Sequence, residues 1–214
     1  MFIQIPRINL LVFSYNGTTW TTLNAPEAAK GTWANGISGS KIVGQYGDAA
    51  NISHGFLYDG TTWTILNRPG AANGTGAFGI DGSNIVGFYY DASYSSHGFI
   101  YNGTSWTTLD KPGAYDTLAN DIDGSYIVGN YKDATGYHGF LYNGKTWTTL
   151  NMAGAKNTYV YGISGSNIVG FYDDVSIFEQ HSFIYTIPEP ATILLLGLGG
   201  LILRSFNRRR FHCP

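Results

Sequence analysis

The sequence predicts an all-β fold: a propeller-like array of about four four-stranded antiparallel blades, followed by a short C-terminal hydrophobic helix. Three observations carry this. The composition is rich in Gly (29), Tyr (16), Phe (12) and Trp (5), and only 12% of its residues are charged. Aromatic and β-branched residues suit a pleated sheet, and Gly with Asn suits the tight turns between short strands. A ten-residue motif also returns at spacings of 43 and 41 residues. Finally, Asn-Gly or Asp-Gly stands between two apolar runs in every copy, and these pairs accept the positive φ that two-residue hairpin turns demand.

Taken in order, the first motif is His54-Gly55-Phe56-Leu57-Tyr58-Asp59-Gly60-Thr61-Thr62-Trp63. It returns at His97–Trp106 and His138–Trp147; Phe13–Trp20 is an earlier copy and His181–Tyr185 a truncated last one. A second motif interleaves with it. Gly36-Ile37-Ser38-Gly39-Ser40 precedes Ile42-Val43-Gly44, and the pair recurs from Gly79, Ile122 and Gly162. One period then reads as four short strands: Ala77–Asp81, Asn84–Tyr90, His97–Asn102 and Ser105–Asp110. Four antiparallel strands per repeat of this length is the signature of a propeller blade, and each blade needs neighbours to cover its faces. Residues 8–24 supply the last two strands of a blade, 33–150 three whole blades, and 160–185 the first three strands of another. The phase predicts that Thr19–Asn24 supplies the missing fourth strand of the last blade, although Leu10–Tyr15 and Ser182–Tyr185 then compete for one place. The repeat domain spans residues 1–187.

Charge excludes one class of partner. Residues 1–187 hold 8 Lys and Arg against 13 Asp and Glu, a net −5. A mildly acidic body lacks the basic face that nucleic-acid binding needs. The lone Cys213 rules out an intramolecular disulfide and says nothing about compartment.

The order Gly-Ile-(Ser/Asp)-Gly-Ser-x-Ile-Val-Gly, then Tyr and Asp, His-Gly-Phe-(Leu/Ile)-Tyr, Trp-Thr-Thr-Leu and Pro-Gly-Ala resembles the HAF extracellular repeat over roughly residues 10–185. Gly follows the His where that family often shows Ala. The resemblance implies a secreted bacterial protein with no assigned catalytic activity.

Residues 188–214 form a separate segment. Pro188-Glu189-Pro190 leads into the apolar run Ala191–Leu203, and Arg204 with Arg208, Arg209 and Arg210 follow. This order resembles the PEP-CTERM sorting signal. It implies a membrane protease of the exosortase type as partner, contact with the bacterial membrane through the C-terminal helix, and an exported protein held there transiently before reaching the cell surface or exterior. As a helix, residues 191–203 reach only ~20 Å against a hydrocarbon layer of ~30 Å. Ser205, Phe206 and snorkelling arginines narrow the gap, and the positive-inside rule leaves the arginines in the cytoplasm. Met1–Phe13 has one basic residue and a central Pro6, unlike a signal peptide, so the true start is expected further upstream.

Candidate chemistry repeats with the fold. His54, His97, His138 and His181 invite a metal reading. Each instead begins the third strand of its blade, away from any axis, where a bond to neighbouring backbone is the expectation. Asp48, Asp91, Asp133 and Asp173 follow the second strand, where turn capping outweighs calcium ligation, since a hard cation wants several oxygens from one loop. Trp20, Trp63, Trp106 and Trp147 are candidate sugar-stacking platforms weighed against core or rim packing. No nucleophile elbow, phosphate loop or unique carboxylate pair is present. The expectation is a non-catalytic envelope or extracellular-matrix protein without cofactor or metal, the alternative a lectin-like propeller for surface polysaccharide.

Overall fold

The computed structural model describes residues 12–15, 17–174 and 179–188, and every described element is a strand. A first hairpin pairs β1 (Val12–Tyr15) with β2 (Trp20–Leu23). Three complete blades follow, each strand paired antiparallel to the next. Blade one runs β3 (Gly31–Ser38), β4 (Lys41–Gly47), β5 (Ser53–Tyr58), β6 (Trp63–Leu66). Blade two runs β7 (Thr75–Asp81), β8 (Asn84–Tyr90), β9 (Ser96–Tyr101), β10 (Trp106–Leu109). Blade three runs β11 (Asp116–Asp123), β12 (Tyr126–Asp133), β13 (Gly136–Tyr142), β14 (Trp147–Leu150). A fourth sheet has three strands: β15 (Ala155–Ser164), β16 (Asn167–Asp174), β17 (Gln180–Thr186). The four strands read from one period therefore exist, each within two residues of its predicted bounds.

Hydrophobic clusters lie between blades, which is why no blade stands alone. Val43 and Leu66 of blade one pack with Ala77, Ile80, Ile85, Tyr89 and Phe99 of blade two. The same seam repeats one blade on, where Val86 and Leu109 meet Ala119, Ile122, Ile127, Tyr131 and Phe140, and again where Val128, Leu141 and Leu150 meet Val160, Ile163 and Ile168.

Polar links repeat in the same phase. The buried hydroxyls of Thr32, Thr75, Thr117 and Thr158 accept backbone N–H bonds from Ala25, Arg68, Lys111 and Met152, at 3.0–3.1 Å. Each bond ties the chain leaving a fourth strand to the first strand of the next blade. The Ser or Asp of the Gly-Ile-(Ser/Asp)-Gly turn accepts from the matching glycine one blade further on: Gly82 N–H to Ser38, Gly124 N–H to Asp81 and Gly165 N–H to Asp123. In a sheet whose backbone groups are otherwise used in ladders, these acceptors join one blade to the next.

The terminal strands depart from expectation. Trp20–Leu23 pairs with Val12–Tyr15, and among the described residues β17 pairs with β16 alone. The hairpin closes across a few residues, whereas pairing the two ends of the domain closes a loop of the whole chain, and the entropic cost rises with length. The tail expected to form a helix lies, from Glu189 onward, outside the described residues, and no described helix is long and apolar enough to cross a membrane.

Candidate functional site

The repeat assembles a side-chain column at one end of each blade, where the second strand turns into the third and the fourth leaves for the next blade. Its centre is the histidine. His54 Nδ1 meets Asn67 Oδ1 at 3.0 Å and its Nε2 meets Asp48 Oδ2 at 3.1 Å. His97 lies between Asp110 (2.9 Å, Nδ1) and Asp91 (3.4 Å, Nε2). His138 lies between Asn151 (3.1 Å, Nδ1) and Asp133 (3.0 Å, Nε2). These partners are side chains from two loops, not the neighbouring backbone the sequence suggested. The reason is register: His begins the third strand, so the residue ending the fourth strand and the loop Asp flank its ring on either side.

Each ring also stacks on the tyrosine of the second strand. Tyr46–His54, Tyr89–His97, Tyr131–His138 and Tyr172–His181 have centroids 5.0–5.2 Å apart. The guanidinium of Arg68 lies 4.2 Å over the Tyr89 ring, and Lys111 Nζ lies 5.1 Å over Tyr131. Blade one has Glu27 instead, which accepts the Tyr46 hydroxyl at 3.1 Å; burial and that carboxylate push the Tyr46 phenol up to about 12.

Electrostatics follow the geometry. Burial alone lowers His97, but hydrogen bonds and charge from Asp110 and Asp91 outweigh it, and its imidazolium is favoured. Both partners of His97 are carboxylate oxygens, which only accept, so the doubly protonated ring satisfies both bonds. Asp133 is held down at about 2, first by the Thr135 hydroxyl and backbone and then by His138. Asp48 is lowered mainly by His54, and Asp91 mainly by the Ser95 N–H. The loop aspartates are turn caps as expected: Asp48 accepts Ile52 N–H, Asp91 accepts Ser93 and Ser95 N–H, and Asp133 accepts Thr135 N–H. Asp173 differs, receiving Asn157 Nδ2 and Gln180 Nε2. The Thr135 hydroxyl sits 2.8 Å from His138 Nε2, a spacing suited to nucleophile activation. Its proton, however, goes to Asp133 Oδ1 at 2.6 Å, closing the turn. Among the described residues no three His, Cys, Asp or Glu side chains converge for a metal ion.

The tryptophans lie at the opposite end of the blade. Trp63, Trp106 and Trp147 are half-buried, stacked or tilted on Tyr58, Tyr101 and Tyr142 at 4.4–4.7 Å. Each also meets the edge of a buried phenylalanine, Phe56, Phe99 or Phe140, at 4.9 Å. Trp20 stacks on Tyr15 at 4.6 Å and is 69% exposed. Of the sorting residues, Pro188 follows β17, while Glu189, Pro190, Arg204, Arg208, Arg209 and Arg210 lie outside the described residues.

A half-buried carboxylate also breaks the repeat. Asp121 stands at the first-strand bulge where the other copies carry Gly36, Gly79 and Gly162. Its Oδ1 accepts its neighbour's Ile122 N–H and its Oδ2 accepts Ile163 N–H in the next blade, both at 2.9 Å. The sequence carried the signal, an Asp in a column of Gly, but motif matching passes over a mismatch. Burial raises the Asp121 carboxyl above its ordinary value. The folded state therefore holds this proton more tightly than the unfolded chain, and the contribution to stability falls as pH rises from the unfolded pKa near 4 through the raised folded one. Asp121→Asn removes this penalty. Its melting temperature, relative to the parent, is expected to gain a few degrees between pH 4 and pH 7; a difference that stays constant with pH refutes the burial argument.

The PEP-CTERM protein-sorting motif matches residues 186–210. Among curated proteins no sequence relative is found. The fold is similar to the β-propeller domain of the Trilobed protease from Pyrococcus furiosus, a propeller of open velcro topology, at TM-score 0.53 and 10% identity over 82% of this chain. This chain spans 55% of that one. It is also similar to the six-bladed fucose-recognising lectin of Aleuria aurantia, at TM-score 0.47 and 17% identity over 81% of this chain and 68% of that one. The chain is thus built as a β-propeller array followed by a protein-sorting motif.

Proposed function

We propose that this is an exported, non-catalytic bacterial envelope or extracellular-matrix protein whose blades are displayed outside the cell after its tail is processed by an exosortase-type membrane protease. The sorting motif at residues 186–210 carries the reading, because it begins where the last strand ends, at Thr186. Cutting near Pro188–Pro190 then frees the tail without entering a blade. The apolar run acts as the transient membrane helix and the arginine cluster as its cytoplasmic stop. The HAF-like repeat supports an extracellular setting. The site chemistry supports a structural role: each described His–Asp column spends its hydrogen bonds inside its own blade.

Processing is testable in a host that carries an exosortase. The parent is expected to lose its tail and leave the membrane fraction. The triple change Pro188→Ala, Glu189→Ala, Pro190→Ala is expected to leave most of the protein uncleaved and membrane-bound, read by mass spectrometry of the C-terminus. Equal processing of both chains rejects the reading.

A second reading, a polysaccharide-binding propeller, is supported by the four Trp–Tyr pairs, one on each fourth-strand hairpin. Trp20, 69% exposed, offers the ring surface that suits the apolar face of a sugar ring.

A further inference from the structure

Among the described residues, the seam that joins each blade to the next is left open at both ends of the array. In blades two to four the first strand presents Ala77 and Ile80, Ala119 and Ile122, and Val160 and Ile163 to the preceding blade, all of them buried. In blade one the same face is open: Ala34 is exposed and Ile37 is 70% exposed. At the far end, Val43, Val86 and Val128 are 0% exposed under the following blade, whereas their counterpart Val169 is 45% exposed and Ile184, at the place of Leu57, Ile100 and Leu141, is 74% exposed. The two open surfaces are the two halves of one interface that the chain already builds three times.

The place ahead of blade one is also prepared. The Ala25 N–H to Thr32 bond and the buried Leu23 set β2 against blade one as β6, β10 and β14 are set against their successors. β2 thus occupies the fourth-strand position of a preceding blade. Beside it, between β1 and β3, runs a groove of about 410 Å³ lined by Val12–Tyr15, Leu23, Ala34–Ile37 and Ile42. β1 is a poor third strand for that position. It carries Ser14 where Leu57, Ile100 and Leu141 pack against the following blade. The last sheet, β15–β17, has first, second and third strands and, among the described residues, no fourth.

We infer that two copies of this chain join head to tail: the β15–β17 sheet of one seats ahead of blade one of the next, takes β2 as its fourth strand and displaces β1. Val169 fills the groove over Ala34 and Ile37 as Val43 covers Ala77 and Ile80. In the register of the complete blades, Trp20 pairs with Tyr185 and Thr21 with Ile184. Asn24 then reaches His181 as Asn67, Asp110 and Asn151 reach their histidines. The partner is a second copy because, among the described residues, one chain exposes both halves of the seam it builds three times, so each copy carries the complement of the other's open face. Such an interface is heterologous, so it builds rings or open chains.

Disulfide trapping tests this on the full chain in detergent, with Cys213→Ser in every variant. Directly paired strand residues lie within disulfide reach. Mixing chains that carry only Thr21→Cys with chains that carry only Ile184→Cys is expected to give a reducible dimer of the two under mild oxidation. Adding Ile184→Asp to otherwise unmodified chains, a change at an exposed position, is expected to reduce the light-scattering mass to that of one copy. Two results overturn the proposal. One is an intramolecular disulfide in a monomer that carries both Thr21→Cys and Ile184→Cys while mixed single variants stay monomeric, which means the chain closes on itself. The other is a monomeric parent with no cross-link in either format.

Discussion

Gly129→Ala is expected to cost about 3 kcal/mol or more, because no rearrangement of a side chain alone makes room for the new methyl. A Cβ at this position lies 2.0 Å from the carbonyl oxygen of Leu118 and 2.9 Å from the Phe140 ring. The ring can move, but the carbonyl belongs to the paired strand, where Leu118 stands opposite Asn130 and Ala119 opposite Gly129. Opening that ladder beside the Ala119 bulge also loosens the seam to blade two, where Ala119 and Phe140 pack with Val86. For a chain of this size the loss corresponds to a fall of about 6–12 °C in melting temperature. Phe140→Leu in the same chain is not expected to restore it, since the carbonyl remains. Gly103→Ala is the contrast: its φ of 96° disfavours a side chain, yet nothing lies within 4 Å. Its cost is that of the left-handed backbone, about 1–2 kcal/mol. Urea unfolding of the three variants decides the matter, and equal losses at Gly129 and Gly103 contradict the close-approach argument.

Phe99→Ala is expected to destabilise by about 3–5 kcal/mol, the range for removing a fully buried aromatic ring. Phe99 is 0% exposed, sits in the seam with Val43, Ala77 and Ile80, and meets Trp106 edge-on at 4.9 Å. Its truncation leaves a void that two blades share, and the close-packed strands on either side cannot collapse into it. Both seam partners should therefore loosen together, and hydrogen exchange is expected to speed up in β4 as well as in β9. Phe99→Leu should recover most of the loss. A cost below about 1 kcal/mol, or faster exchange confined to blade two, contradicts a core shared between blades.

The strands and their order were legible because a blade is a local object. Alternating residues, a turn every few positions and a constant period are all written along the chain, and the pairing that follows is between neighbours in sequence. The capping of loop aspartates was legible for the same reason, since donor and acceptor lie within four residues. The partners of the histidines were not. Asn67 stands 13 residues from His54, and only the return of the fourth strand brings it beside the ring. Asp121 was visible as a departure from glycine, but its bond to Ile163, 42 residues away, exists only because consecutive blades pack at the same phase.

The period of the chain, read alone, dictates how many sheets form and which residues each one turns inward, since both depend on short-range alternation and turn chemistry. The fate of the two ends was settled by packing in three dimensions. Trp20–Leu23 belongs by sequence to a fourth strand, yet a nearby hairpin closes at lower entropic cost than a contact spanning the array, and the exposed Ile37, Val169 and Ile184 record the seam that this choice leaves open.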